Sequence, residues 1–340
     1  MHRYLNFSVF VVLVFFLGAC ASSGPSKTVK PDWVSGESSK YPLEFYLIGV
    51  GEGRSAPHAN NVARGELSKS VKVSIKADMT SRLDVEQNKR GGKSSETVSQ
   101  RTQQLIRSSS NVELDALKIS ESWFDEKTGL YYALATLDRQ QAASAFRKDI
   151  SELDERIMSF VESSKQAREP FDRVRAVVKA QNLFAKRIAL NEYLRAVDQG
   201  GKGRSSMLSQ AELESHMMSV LKQVTIEAKG EGQYGAELAD AAMGSLSSNG
   251  YGTSSDAANF ILNITLRLDE PRLDDGWYWV RGTMDVALID KVDNATKGQH
   301  SWSIKKSATD APAAVGRVLE DAKAKLTSDL GMVLLGLAGE

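Results

Sequence analysis

The residue with the most specific chemistry in this chain is Cys20, the single cysteine among 340 residues. A thiol is a nucleophile and a metal ligand, but a lone cysteine forms neither a disulfide within the chain nor a cysteine-based metal site. Cys20 follows an apolar run from Phe7 to Leu17, which is broken only by Ser8 and preceded by Arg3. A positive residue, a short apolar segment and small residues, in this order, form an export signal.

The apolar run is too short to span a bilayer, because a hydrocarbon core of ~30 Å needs about 20 apolar residues in a helix. Pro25 and Lys27 end any extension of the run past the cysteine. We therefore expect residues 1–19 to be a cleaved signal peptide. An ordinary secretory signal, or an uncleaved anchor, is the alternative.

The cysteine and the three residues before it resemble the lipobox of bacterial lipoproteins, Leu17, Gly18, Ala19 and Cys20. In that motif the thiol receives a diacylglycerol, the peptide is cut before the cysteine, and the new amine is acylated. Several acyl chains anchor a protein stably to a membrane. Ala21 stands where an aspartate would resemble an inner-membrane retention signal, which favours the outer membrane and a periplasmic body.

The other residues with catalytic or metal-binding chemistry are scattered. No two histidines have metal-ligand spacing, and they are His2, His58, His216 and His300. An arrangement in space of His58 or His216 with an aspartate and a serine stays open, although the Gly-x-Ser-x-Gly and His-Glu-x-x-His motifs are absent. We therefore expect no catalytic residues, no metal and no cofactor.

Residues 49–53, Gly-Val-Gly-Glu-Gly, lie between a predicted strand and a predicted helix, where a phosphate-binding loop would be found. The segment lacks the glycine spacing and the lysine of the known phosphate loops. Glycines for a tight strand-to-helix turn explain it equally well.

The composition is that of an ordinary globular protein, with 41% hydrophobic and 25% charged residues. Lys and Arg together number 43, as do Asp and Glu. Because there is neither net positive charge nor a basic stripe with aromatics, we expect no nucleic-acid partner.

The periodicity predicts an α+β fold of two small domains, 41–145 and 207–340, joined by long amphipathic helices over 146–198. A Ser-, Gly- and Pro-rich tether over 20–40 precedes them. In the first domain we predict a strand at 41–51, a helix after Ser55, a strand at 71–77, a polar loop at 87–95, a strand or short helix at 97–111, and a hairpin of 112–124 with 130–137.

Asp138 is the predicted N-cap of the connecting helices, which break near Pro170, and the glycines of 199–206 mark the domain boundary. The second domain is predicted to contain, in order, a helix at 209–220, a strand at 224–229, a helix at 235–247, strands at 259–268, 277–288 and 299–305, and a helix at 311–337.

Aromatic residues concentrate on the two predicted hairpins. Along 277–288 one set of alternating side chains forms the predicted core face, Tyr278, Val280, Gly282, Met284, Val286 and Leu288. We place Tyr132 and Tyr278 in the core, and take Trp123 and Trp277 as candidate exposed contact residues.

Three segments together resemble the LPP-twenty family of bacterial envelope lipoproteins. They are Pro31-Asp32-Trp33-Val34, the run 46–53 with the Ala-rich helix after it, and Gly129 to Arg139. The resemblance covers about residues 31–145. It implies an outer-membrane lipoprotein, in some members associated with flagella, and it implies no catalytic residues.

We therefore expect a lipoprotein that acts as a non-catalytic binding or structural component of an envelope assembly, with a flagellum-associated role as the sharper hypothesis. Its expected partners are the membrane, through the lipid, and envelope proteins of the flagellar or cell-wall machinery. An enzyme acting on envelope polymers, or a lipoprotein activator of a cell-wall synthase, is the alternative. The oligomeric state is not indicated by the sequence.

Overall fold

The computed structural model describes residues 29–89, 96–109, 117–254 and 257–339. A short 3-10 helix at Asp32–Ser35 precedes the elements of the fold. In chain order they are β1 (Tyr46–Gly53), α1 (Ala56–Lys89), α2 (Glu96–Ser108), β2 (Leu117–Asp125), β3 (Leu130–Asp138), α3 (Arg139–Gln166), α4 (Pro170–Val197), α5 (Gln210–Leu221), β4 (Thr225–Glu231), α6 (Gly235–Ser248), β5 (Gly252–Thr253), β6 (Phe260–Leu268), β7 (Arg272–Asp274), β8 (Trp277–Asp290), β9 (Thr296–Ala308) and α7 (Ala311–Gly339). The predicted α+β class is confirmed.

The first sheet is antiparallel, in the order β1-β3-β2, and the predicted hairpin of its last two strands is confirmed. Helix α1 lies across one face with its backbone very close to β1. A Cβ atom on Gly51 would lie 2.2 Å from the Ala63 backbone nitrogen, and one on Gly49 would lie 2.7 Å from the Ala63 carbonyl oxygen. These glycines are therefore required for close helix-on-strand packing, and they stand inside β1 rather than in a turn.

The predicted strand over 71–77 is wrong, because helix α1 continues through it. The buried residues of α1 recur every four positions: Ala59, Ala63, Leu67, Val71 and Ile75. The alternation of valines and lysines predicts a strand with one solvent-exposed face, but Val73, which would lie on the buried face with Val71 and Ile75, is 62% exposed. Packing on the sheet thus outweighs the modest helix propensity of β-branched residues. Residues 87–89 of the predicted loop belong to α1, and 90–95 lie outside the described residues.

The segment before β1 covers the other face of the first sheet. Trp33 is buried, its indole Nε1 donates to Glu121 Oε2 at 2.9 Å, and Lys40 Nζ lies 2.7 Å from Glu121 Oε1. Ser39 donates to the Asp32 carboxylate through both its backbone N–H and its hydroxyl. The folded body therefore begins within the stretch 20–40 that the sequence assigns to the tether.

Helices α3 and α4 form the connecting hairpin, and the Asp138 carboxylate caps α3 by accepting from Gln141 N at 2.9 Å, as predicted. Helix α4 begins at Pro170, whose fixed φ suits a first helical position. It is less amphipathic than expected, because it is packed on several sides at once. Its first half joins the core of the second sheet, and Tyr193, Leu194 and Val197 join the core of the first.

A buried ion pair holds the glycine-rich segment after α4 against this hairpin. Arg187 Nε donates to Asp154 Oδ1 at 2.9 Å, and both side chains are at least nine-tenths buried. The Arg187 guanidinium also donates to the carbonyl oxygens of Arg204 and Ser205, at 3.0 and 2.8 Å. The segment expected to separate two domains is thus bonded to the connector.

The second sheet is mixed, with β5, β4, β6, β8 and β9 as neighbours in that order, and the short β7 pairs with the start of β8 on the same edge as β6. Strand β4 runs parallel to β5 and β6, and the remaining pairs are antiparallel. Helices α6 and α7 cover one face, where the predicted core residues of β8 are buried from Val280 to Leu288. No described helix packs on the opposite face, which we call the uncovered face. Among the helices of the described ranges, none is both long and apolar enough to cross a membrane.

We predict that Gly51→Ala destabilises the protein by about 2–3 kcal/mol, because the methyl group would force α1 off β1. The free energy of unfolding, from urea titration followed by circular dichroism, measures this. The matched control is Gly65→Ala on the exposed surface of α1, where nothing lies within 4 Å. The control should be stabilised by roughly 0.5–1 kcal/mol through helix propensity. Equal stability of Gly51→Ala and the unmodified chain would contradict the packing role.

Candidate functional site

The predicted lipid attachment site, Cys20, and its lipobox residues Leu17, Gly18 and Ala19 lie outside the described residues, as does the predicted signal peptide 1–19. The described chain begins at Val29 and reaches the first sheet through Trp33. The first sheet is therefore the part of the body that follows the predicted anchor most closely along the chain.

Trp123 is half-buried on β2 rather than fully exposed. Its ring packs on Tyr132 with a centroid distance of 5.3 Å, and its buried Nε1 has no hydrogen-bond partner in the described part of the chain. Burial and then the Glu52 carboxylate raise the pKa of the Tyr132 hydroxyl. The more accessible aromatic of this hairpin is Phe124, which is 41% exposed and packs on Tyr131.

Trp277 is the exposed aromatic that the alternation along β8 predicts, with 45% of its surface accessible. It begins β8 directly after a two-residue turn in which Asp275 and Gly276 have φ of 48° and 78°. Positive φ at both turn positions is the geometry of a tight hairpin between β7 and β8. The turn places Trp277 opposite Asp274 on the uncovered face.

A groove of about 480 Å³ lies beside Trp277 on the uncovered face, and we call it the β7–β9 groove. Its carboxylates are Asp269, Glu270 and Asp274, its cations are Arg272, Arg281 and Lys305, and Trp279 forms an aromatic wall. Lys305 Nζ lies 4.3 Å from the centroid of the Trp279 ring, a cation–π contact. The β8–β9 register sets Arg281 directly opposite Lys305.

The sequence predicts only part of this groove. Alternation along β8 places Trp277, Trp279 and Arg281 on one face, and the structure agrees. The groove residues of β7 and β9 were missed, because these strands reach β8 through pairing whose register is not visible in either strand alone.

A serine and a histidine do come together elsewhere. Ser164 Oγ lies 2.6 Å from His216 Nε2, but Ser164 is 1% exposed and its hydroxyl donates to the Val161 carbonyl oxygen at 2.7 Å. Because the Ser164 hydroxyl proton is already donated to Val161, His216 Nε2 must be the donor in the Ser164–His216 hydrogen bond. In this arrangement His216 does not accept the serine proton, as a general base would. Among the described residues no carboxylate bonds to His216. The arrangement therefore lacks the features of a nucleophile–base pair.

The other candidate sites are the glycine segment 49–53, a metal site and His300. The glycines of residues 49–53 pack directly against α1, where a Cβ atom would clash with the helix. They therefore have a packing role and do not form a phosphate-binding loop. Within the described ranges, no group of three histidine, cysteine or acidic residues is arranged to hold a metal ion. His300 packs on Trp302 with a centroid distance of 4.5 Å.

We predict that the stability of the protein depends on His216 below neutral pH. Burial, followed by the nearby Lys165 cation, lowers the pKa of His216 from its ordinary value of 6.5. As the pH falls through 6.5, His216 is protonated in the unfolded chain but stays neutral in the folded chain. The free energy of unfolding therefore decreases. In urea titrations at roughly pH 7 and pH 5, His216→Gln should therefore lose less stability than the unmodified chain. The exposed His58→Gln variant controls for the loss of an imidazole, and parallel pH profiles of all three proteins would contradict the prediction.

Several solved structures are similar to this chain. The crystal structure of a secreted protein of the human pathogen Helicobacter pylori is 13% identical and has a TM-score of 0.44, over 85% of this chain and 98% of that chain. A presumed lipoprotein from Caulobacter crescentus CB15 is 19% identical, with a TM-score of 0.28 over 36% of this chain and 99% of that one. A protein from Xanthomonas campestris is 16% identical, with a TM-score of 0.26 over 30% and 61% of the two chains.

No curated protein sequence matches the chain. The family model described as LPP20 lipoprotein matches residues 31–138. This span runs from the segment that carries Trp33 to the end of β3, and so contains the complete first sheet with α1 and α2. Residues 31–138 therefore match the LPP20 lipoprotein family, which is the resemblance that the sequence motifs indicated.

Proposed function

We propose that this chain is an outer-membrane-anchored lipoprotein whose periplasmic body is a non-catalytic binding component of an envelope assembly. The observation that carries the proposal is the position of the only cysteine, Cys20, at the end of a predicted export signal and ahead of a lipoprotein family match. An acylated cysteine holds a protein at a membrane, and it leaves the remainder of the chain in water.

The surface of the body supports a binding role. Large apolar side chains that a folded protein usually buries are exposed on both hairpins, namely Phe124, Leu273 and Trp277. Exposed aromatics on rigid strands lose little entropy when a partner covers them, which is why such residues dominate many interfaces. The Ser164–His216 pair, by contrast, has neither an accessible hydroxyl nor an orienting carboxylate within the described residues.

The resemblance to the LPP-twenty family adds the sharper hypothesis of a flagellum-associated role. The two alternatives are an enzyme acting on envelope polymers and an activator of a cell-wall synthase. They differ from the main proposal in what the body would contact, so identification of the contacted molecule separates the three.

We predict that Cys20→Ser releases the protein from the membrane, because the hydroxyl does not accept the diacylglycerol that the thiol accepts. Fractionation of cells expressing the full chain should move the protein from the membrane pellet to the soluble fraction, and labelling with radioactive palmitate should be lost. The matched control Ser23→Ala should stay membrane-bound. Density-gradient separation of the two membranes then tests the outer-membrane assignment, and a Cys20→Ser protein that stays in the pellet would contradict the lipid anchor.

We predict that the first-sheet hairpin contacts a protein of the envelope in living cells. A photo-crosslinking amino acid in place of Phe124 should give one discrete adduct, whereas the same amino acid in place of the exposed Lys222 should give none. Mass spectrometry of the adduct identifies the partner. A flagellar protein in the adduct would support the flagellum-associated role. A cell-wall synthase in the adduct would support the alternative of a synthase activator. Absence of any adduct, or equal adducts from both positions, would contradict a binding role for this hairpin.

A further inference from the structure

The β7–β9 groove differs from the rest of the uncovered face in how its charges are satisfied. Away from the groove, Arg267 forms an ion pair with Asp285, and Asp285 also accepts from the Ser301 hydroxyl. Within the groove, no ion pair joins Asp269, Glu270, Arg272, Asp274 and Arg281 to any partner in the described part of the chain. The groove thus holds charged groups whose hydrogen-bonding capacity is directed to the solvent.

With Lys305 included, the charged groups of the groove are three carboxylates and three cations. Three carboxylates accept hydrogen bonds only, and two guanidinium groups with one ammonium group donate only. A purely anionic ligand would be repelled by the carboxylates, and a purely cationic ligand would be repelled by Arg281 and Lys305. A ligand rich in hydroxyl groups suits both sets, because each hydroxyl donates one hydrogen bond and accepts others.

The aromatic residues provide the apolar contact that such a ligand needs. Trp277 and Trp279 are two positions apart on the same face of β8, which separates their Cα atoms by about 7 Å. The face of an indole ring is negative and attracts positively polarised hydrogen atoms, and the Trp279 ring already holds the Lys305 ammonium. The C–H groups on one side of a sugar ring have the same polarity. Lys305 is exposed and is free to turn toward a hydroxyl instead.

From this arrangement we propose that the β7–β9 groove, together with Trp277, binds a saccharide, with the sugar rings on the two indoles and the hydroxyls on the charged walls. The inference rests on the proposed role of the body as a binding module, and it names the ligand class of the uncovered face. In an envelope, two sources offer this chemistry: the glycan strands of the cell wall and the sugars of lipopolysaccharide. A shared site on β8 would bind either through the same contacts.

The proposal is tested with the full chain purified in detergent, by cosedimentation with purified cell-wall sacculi and, separately, with lipopolysaccharide-coated beads. The unmodified protein should bind one of the two materials. Trp277→Ala, and likewise the double variant Asp274→Asn with Arg281→Gln, should weaken that binding at least about tenfold, as expected for central contacts. Trp277 is exposed, so its removal should leave the melting temperature unchanged.

The matched control is Val292→Ala, which removes an exposed apolar side chain from the turn between β8 and β9, at the end of β8 remote from Trp277, and should bind like the unmodified chain. Binding to sacculi assigns the cell-wall source, and binding to the beads assigns lipopolysaccharide. Failure of the unmodified protein to bind either material would overturn the proposal, as would full binding by Trp277→Ala. Neither result would affect the Cys20→Ser fractionation or the crosslink at residue 124, so the anchored binding role is judged independently.

Discussion

The packing of helix α4 into two hydrophobic cores is the interaction on which the rest of this structure depends. Its first half is buried with the helices and strands of the second sheet, where Phe171 packs on Phe260 with a centroid distance of 5.7 Å. Its last turns are buried under the first sheet with α3, where Tyr193 contacts Phe146. Because one continuous helix serves both cores, the two sheets are connected through shared packing and not through a flexible linker. The buried Arg187–Asp154 pair adds to this constraint, since separating its two partners would leave a charge without compensation.

Both faces of the first sheet are covered by other parts of the chain, whereas only one face of the second sheet is covered. This difference determines which surfaces are available for binding. The first sheet is covered by α1 on one face and by the segment around Trp33 on the other. Few of its side chains are free for a partner apart from those on the β2–β3 hairpin. The second sheet has α6 and α7 on one face only, and its polar uncovered face presents Trp277 and the β7–β9 groove to the solvent. The body therefore presents two separate surfaces, each formed by strands.

The family match and the packing of the first sheet concern the same residues. The run that begins β1 and the Ala-rich helix after it are among the features that resemble envelope lipoproteins, and they are also the residues that allow α1 to contact the strand backbone. Their spacing therefore has a packing explanation that is independent of any ligand. For this reason the resemblance in β1 and α1 describes the scaffold, whereas the binding hypotheses concern side chains of the two hairpins, β2–β3 and β7–β8.

The sequence by itself determined the elements whose signals are local. Asp138 as a cap, Pro170 as a helix start, the β2–β3 hairpin and the alternation along β8 all depend on residues close together in the chain. The chemistry of Cys20 is likewise a property of its immediate neighbours. Tertiary structure alone decided that residues 71–77 are helical, because burial of Val71 and Ile75 follows the four-residue stripe of α1. It also decided that Trp123 is half-buried and that β7 and β9 complete the groove, because strand register and helix docking are fixed by contacts between residues far apart in the chain.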